Sequence, residues 1–529
     1  MALRYFRSTG TNWGTIGDWS STPSPTYTAV AAIPTAADDV IFEAASANCT
    51  LNVAGTCLSF VATTYGAKTW ALGTNNISVA GGVFTLGTGM TVTGTGTLIR
   101  TAGGNTLTSN GVTWPGSIQI NLAATHTWGD AWTISGSFTS LANLTINGTF
   151  NITIGGSLTI FPTLTSTATY ILNGVGSLNG SFSGVSITIN TAITNTITLP
   201  TSLVMSGGTL RLTSGIVSVT SGHAFTATGA TLDTDRTSTG GNKISFYNAT
   251  IISIVTLQSN LTITNNFTNS GNLTTAGVFN IYIAGNISNN NIDGTATLIM
   301  DGSNNATIST GTIGVNLTIS KSGAAVVTPA ITLTFGAANK TLTMNSSVNF
   351  ATNLNTLTLS GNILAINNSF GNSLYNLITP ASSITLTLSG GILRITNNLT
   401  LNGASTTSIT FAGSFGWDCN NLICSTAGVY TITLQQSISY RTRTQVSITG
   451  GTFANRVTMA SSSLTVLAIW TLDQGATQSL IYVNGTRIDS SQNNGQTVWS
   501  FGVSAANVST SLNWNPGLPL RTVAYTFVN

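Results

Sequence analysis

Ser157-Leu-Thr-Ile160, Asn260-Leu-Thr-Ile263, Asn316-Leu-Thr-Ile319, Thr341-Leu-Thr-Met344 and Asn398-Leu-Thr-Leu401 repeat one pattern at intervals along the chain. Each tetrad alternates polar and apolar residues, the signature of a strand with one buried face. Gly, Asn or Ser-Gly flanks each, which reads as turn. No stretch sustains a 3.6-residue apolar period built from helix formers. The spacing between matching tetrads varies, so the text is not a strict hexapeptide or nonapeptide code. It fits rungs of roughly 17 to 25 residues with variable turns. About 18 such rungs, stacked at ~4.8 Å, predict an all-β, right-handed parallel β-helix (a β-solenoid) ~85 Å long.

The composition points the same way. The 529 residues hold 15 Lys and Arg and 12 Asp and Glu, 5% of the chain, and Glu43 is the only glutamate. A soluble domain is usually roughly 25% charged. Active sites are built from ionisable groups, and this chain is poor in them, so an enzyme is not expected. A net charge of +3, with no cluster of basic residues, gives no nucleic-acid footprint. The longest largely apolar runs, Ile251 to Leu257 and Val466 to Leu472, fall far short of the ~20 residues that span a bilayer. Strands of four to six residues also argue against a transmembrane barrel, whose strands need ~10. No membrane insertion is expected.

Three regions differ in texture. Residues 1–46 carry Trp13, Trp19, Pro23, Pro25, Pro34 and the run Asp38-Asp39-Val-Ile-Phe-Glu43. They read as an N-terminal cap and attachment segment whose aromatics cover the first rung, as terminal repeats of a solenoid must. Residues 47–415 are the monotonous solenoid. Residues 416–529 regain charge at Arg441, Arg443, Arg456, Asp473, Arg487, Asp489 and Arg521, and read as closing rungs with a β-rich C-terminal cap.

Ile488-Asp-Ser-Ser after Arg487, then Gln496-Thr-Val-Trp-Ser-Phe501 and Leu512-Asn-Trp514, close the chain. With the opening block and the Leu-Thr-Ile rungs, these resemble β-helix virion structural and tail-fibre-like proteins common in bacteriophage and environmental viral sequences. The resemblance implies a virion protein, made in the host cytoplasm and released by lysis. It implies a tail fibre, spike or head fibre for host attachment, and no catalytic residues. Met1-Ala-Leu-Arg-Tyr-Phe-Arg7 is not followed by an apolar run, so no secretory signal is read, which agrees with that route. Contact with other virion proteins is expected through residues 1–46. A host surface glycan is the expected distal partner, and a homo-oligomer, a trimer by analogy with phage fibres, the expected assembly. A bacterial surface adhesin is an alternative.

The candidate sites are few. Asp233 and Asp235 stand at i and i+2, with His223, Arg236 and Lys243 close in sequence. On a strand they share a face. Two carboxyls roughly 5 to 9.5 Å apart can cleave a glycosidic bond, so a polysaccharide-depolymerising spike is the enzymatic alternative. The plainer reading of Asp-Thr-Asp-Arg-Thr-Ser-Thr-Gly-Gly is a turn, with an ion such as calcium a further option. His126, Trp128, Asp130 and Trp132 alternate on one prospective strand face. They offer either a sugar-stacking platform or, more simply, two core tryptophans joined by Trp114 in an aromatic stack. Cys49, Cys57, Cys419 and Cys424 lack both a C-x-x-C spacing and a nearby histidine, so a zinc site is not expected. Small buried hydrophobes and local disulfides both remain open for them. No Walker loop, dinucleotide fingerprint, H-E-x-x-H or G-x-S-x-G occurs, and no cofactor is expected. The Asn-x-Ser/Thr sequons at Asn143, Asn147, Asn151, Asn260 and Asn316 are expected by chance at this composition. Asn serves turns and side-chain ladders between rungs instead.

Overall fold

A computed structural model shows a nearly all-β chain, 57% strand and 1% helix. It describes residues 2–219 without a break, and 223–516 apart from short segments. The longest of these segments are 236–242, 349–355, 425–429, 451–455, 491–496 and 501–510; residues 517–529 also lie outside the description. The chain divides into two compact units, residues 1–263 and 264–529. Each is a stack of parallel coils, and the fold is a β-solenoid with about 18 turns in the chain.

In the first unit the inward positions run in columns from coil to coil. Leu98, Ile118, Phe138, Leu158 and Leu178 are successive register partners. On another face Leu144, Leu164, Phe182, Met205, Ala227 and Ile251 do the same. All eleven are 2% exposed or less. Burying such a side chain contributes roughly 1.5–3 kcal/mol, and parallel in-register stacking repeats that gain at every coil. The outward Thr residues share the same ladders, so each polar row stacks as the apolar row does.

One corner of this unit is stricter than the tetrads imply. Ser137, Ser157 and Ser177 donate their backbone N–H groups to the hydroxyls of Ser117, Ser137 and Ser157, at 3.0, 2.9 and 2.9 Å, each 20 residues apart. A glycine precedes every one of these serines, and the glycines stack too. A Cβ on Gly116 would stand 1.9 Å from the carbonyl oxygen of Gly96, and one on Gly136 would stand 2.6 Å from that of Gly116. No real Cβ makes such contacts, so the coil corner closes only with glycine there.

The opening segment is the first coil of this unit. Ala2–Phe6 runs parallel to Asp38–Ile41, which runs parallel to Ser59–Val61. One antiparallel pairing, Phe6 with Trp19, folds the segment back over the core. Phe6, Trp13, Trp19 and Phe42 are all fully buried. They continue into Phe60, Trp70 and Phe84 through ring contacts of 4.5 to 6.5 Å. The aromatics cover the end of the core, as read from the sequence.

The second unit has the same ladder logic, with aliphatic columns beside an aromatic cluster at Phe411, Trp417 and Tyr440. Leu317, Leu342, Ile366 and Leu388 form one column, and Leu333, Leu357, Leu377, Leu399, Leu422 and Val446 another. Its corners are tied by asparagine. Asn266 accepts the N–H of Asn286 at 3.2 Å, and Asn286 accepts that of Thr307 at 2.8 Å. Asn316 accepts the N–H of Thr341, 25 residues on, at 2.9 Å. The asparagine ladders expected from composition are present. Trp417–Cys424 pairs in register with Leu393–Leu401, so the chain beyond 416 continues the coils before it.

Several strands depart from alternation, and one of them is a Leu-Thr-Ile rung. Leu261, Thr262 and Ile263 are all buried, Thr262 at 8% exposed. A Leu-Thr-Ile rung therefore does not guarantee an exposed threonine; the strand is covered on both sides there.

Candidate functional site

The carboxylate pair is separated by its surroundings. Strand Thr231–Asp233 ends at the first aspartate, so the two residues do not continue one strand face. Asp233 is 4% exposed and is held 3.2 Å from Arg211 Nε, across one coil in register. Asp235 instead forms an isolated antiparallel bridge with Lys243. Its carboxylate accepts the Asn260 amide at 3.2 Å, and its N–H donates to Ser259 at 3.0 Å. Two carboxylates flanking a sugar bond need open space between them. Here one is buried against an arginine and the other ties down a turn. His223 lines a small cleft with Leu203, Phe225 and Phe246, and Arg236 lies outside the described residues.

Of the alternating set at 126–132, His126, Trp128 and Trp132 face inward, while Asp130 lies in the bend between their two strands. His126, Trp128 and Trp132 are each 1% exposed, so they present no stacking platform to solvent. Trp132 meets Trp128 at 5.6 Å and Phe84 at 6.2 Å, and Trp114 joins the same stack through Phe84 at 5.8 Å. Their N–H groups are satisfied internally: Trp128 donates to Tyr170 Oη and Trp132 to the Leu107 carbonyl, both at 3.2 Å. Asp130 holds a turn of the neighbouring coil, accepting the Ser109 N–H at 2.8 Å and the Asn110 N–H at 2.5 Å. Burial, and next the charge of Arg100, push the His126 imidazole down to about 4.

The four cysteines are free thiols, all buried. Burial drives each thiol well above its ordinary range, Cys424 to about 12, so none is a reactive thiolate. Among the described residues no group of three or more His, Cys, Asp or Glu is placed to hold a metal ion. No described helix is long and apolar enough to cross a membrane.

Two surface features remain. In the second unit Arg443 grips Asp418 through both oxygens at 2.7 and 2.6 Å, and Arg441 grips Asp473 at 2.8 and 2.8 Å. Arg394, Asp418 and Arg441 are register partners on successive coils, so these charges share one face. The sequence displayed these charges without their pairing, because each partner sits one coil away. In the first unit an open groove of about 540 Å³ runs along the outer face of the opening coils. Leu3, Ile41, Val61 and Val83 line it beside Asp39 and Ser59, whose hydroxyl donates to the Asp39 carboxylate at 2.5 Å. Leu3 and Val83 are 45% and 40% exposed. The parity of Leu3 and Ile41 against inward Val40 and Phe42 was the available signal for an apolar outer face.

Comparison of the chain with protein-family models, with curated proteins and with solved structures returns no match.

Proposed function

We propose that this chain is a non-enzymatic virion structural protein of a bacteriophage, a tail fibre, spike or head fibre that serves surface attachment as a homo-oligomer. The observation that carries the reading is the solenoid itself. Among the described residues successive coils pair in parallel register, the buried positions are mainly Leu, Ile, Val and aromatic residues, and the outer rows are rich in Thr, Ser and Asn. Such a scaffold resists unfolding and transmits force, and it offers long polar faces for recognition. The two strongest carboxylate candidates for chemistry are engaged in structure, which leaves the depolymerase alternative without a supporting geometry. The opening coils are the attachment end in this reading, because their outer face carries the apolar groove at Leu3, Ile41 and Val83. The Arg394–Asp418–Arg441 face belongs to the outward, receptor-facing part.

Deleting residues 1–46 does not test the reading cleanly, since it would uncover Phe60 and Trp70. Surface charges placed in the groove do. Leu3→Lys with Val83→Lys should leave the protein folded and reduce its incorporation into particles. Undiminished incorporation, or loss only on Arg441→Ala with Arg443→Ala, reverses the polarity. Purified protein should leave host surface polysaccharide at its original length. Cleavage that disappears in Asp233→Asn with Asp235→Asn overturns the non-enzymatic reading.

A further inference from the structure

Arg100 is a charged residue inside the core. It occupies an inward column in register with Val79 on one side and Ile120 on the other, with Cys57 one coil further on. Its side chain is fully buried. One nitrogen, Nη2, donates to the Gly82 carbonyl at 2.8 Å, while Nε and Nη1 are buried and have no acceptor. Among the described residues no carboxylate forms an ion pair with it. The ionisable group that acts on it is the Cys57 thiol, which burial keeps protonated. Burial lowers the guanidinium to about 10, which leaves it charged at neutral pH.

His126 lies on the next coil. The single turn 101–105 leaves Arg100 and stacks against the strand of His126, with Gly104 donating to the Thr125 carbonyl at 2.8 Å and Thr127 to that of Asn105 at 3.2 Å. The imidazole is as buried as the guanidinium, and the polar group that acts on it most directly is the Asn105 backbone. The two are close enough for the arginine charge to act on the histidine.

An uncompensated buried cation costs several kcal/mol, and native proteins pair such groups or bind an ion to them. This cluster has buried donors in excess and no negative charge. We propose that Arg100 and His126 hold a small inorganic anion of halide size in the interior of the first unit. A water molecule satisfies the hydrogen bonds and leaves the charge; a halide satisfies both. A multi-atom oxyanion is disfavoured because the nitrogens involved are sealed from solvent, on a strand stacked between those of Val79 and Ile120.

The test is thermal unfolding of the full chain in sodium chloride against sodium methanesulfonate at one ionic strength, together with crystals soaked in bromide. Chloride should raise Tm progressively, as expected of a ligand that binds only the folded state. Arg100→Met, which fills the site with an apolar chain, should fold and lose the chloride-specific rise. His126→Leu should weaken it. An anomalous bromide peak should lie against Nε or Nη1 of Arg100 in the wild-type protein. An equal chloride rise in wild type and Arg100→Met overturns the proposal. So does bromide at surface positions only, an adventitious ion only, or a water in place of the halide. The crystal readout uses the unmodified protein and decides the matter even if Arg100→Met fails to fold. An unchanged chloride response in His126→Leu removes the histidine from the site.

Discussion

The two units solve the same problem with different side chains. The first opens with an aromatic core that runs through ring contacts from Trp19 to Tyr170, and it closes corners by stacking glycine and serine at a fixed 20-residue step. The second has columns of Leu and Ile beside an aromatic cluster at Phe411, Trp417 and Tyr440, and extends to steps of 25 residues the asparagine ties that the first unit makes at Asn48 and Asn76. A glycine–serine corner permits one path only, because the next coil's backbone occupies the space of any Cβ. An asparagine corner reaches across with a side chain and tolerates turns of differing length. Both units bury charge, Arg100 and Asp233 in the first and Lys321 and Asp489 in the second, but the bidentate Arg–Asp pairs at Arg441 and Arg443 lie on an outer face of the second.

The largest effect should come from breaking a corner that has no spare room. Gly136→Val drives a branched side chain into the Gly116 backbone, and we expect loss of soluble folded protein from the first unit. Gly323→Ala, at φ +66° with nothing within 4 Å of the added methyl, should cost only about 1 kcal/mol. Circular dichroism melts of the two separate them, and equal behaviour would remove the corner argument.

Leu261→Asp and Thr262→Asp test the covered rung. Alternation alone makes the second mild; burial on both sides makes both severe, each costing several kcal/mol. A Thr262→Asp protein that melts like wild type would restore strict alternation.

Next in size is the aromatic core. Trp132→Ala should destabilise the first unit by roughly 3–5 kcal/mol, and Leu342→Ala the second by roughly 2–5. Denaturant titrations that show a larger loss for Leu342→Ala would erase the distinction between the cores.

The acid response belongs to the first unit. An unfolded histidine titrates near 6.5, and His126 in the fold is held down at about 4. Its folded value is the lower one, so the unfolded chain takes up a proton first as pH falls. Stability is therefore full above pH 6.5 and declines as pH drops from about 6.5 towards 4. His126→Leu should flatten that slope in urea melts taken across the window; an unchanged slope assigns the acid response elsewhere.

The smallest effect is expected on the displayed charges. Asp418→Asn breaks a partly exposed pair and should cost about 0–1 kcal/mol, shrinking further in high salt. A loss as large as that of Trp132→Ala would make this face part of the stability of the second unit.

Much of the architecture was legible without coordinates. Period-two alternation with turn residues at its edges marks strands wherever one face is buried, as in Leu98, Ile118 and Leu158. The tryptophans of the opening segment announced an end that needs covering. The 20-residue Gly-Ser step is equally present in the letters, but the irregular spacing of the tetrads either side of it hides it. The site candidates fared differently. Asp233 and Asp235 share parity, but the strand stops between them. His126, Trp128 and Trp132 share a face, and parity does not say which side that face meets.

Local sequence thus determined that this chain is made of short parallel strands in stacked coils, since alternation and turn chemistry are properties of neighbours a few residues apart. Tertiary structure alone decided which face of each strand is sealed, which coil supplies each partner, and where a charge goes unanswered. Arg100 shows the reason: one arginine looks like any other until the register places Val79 and Ile120 beside it and no carboxylate within reach.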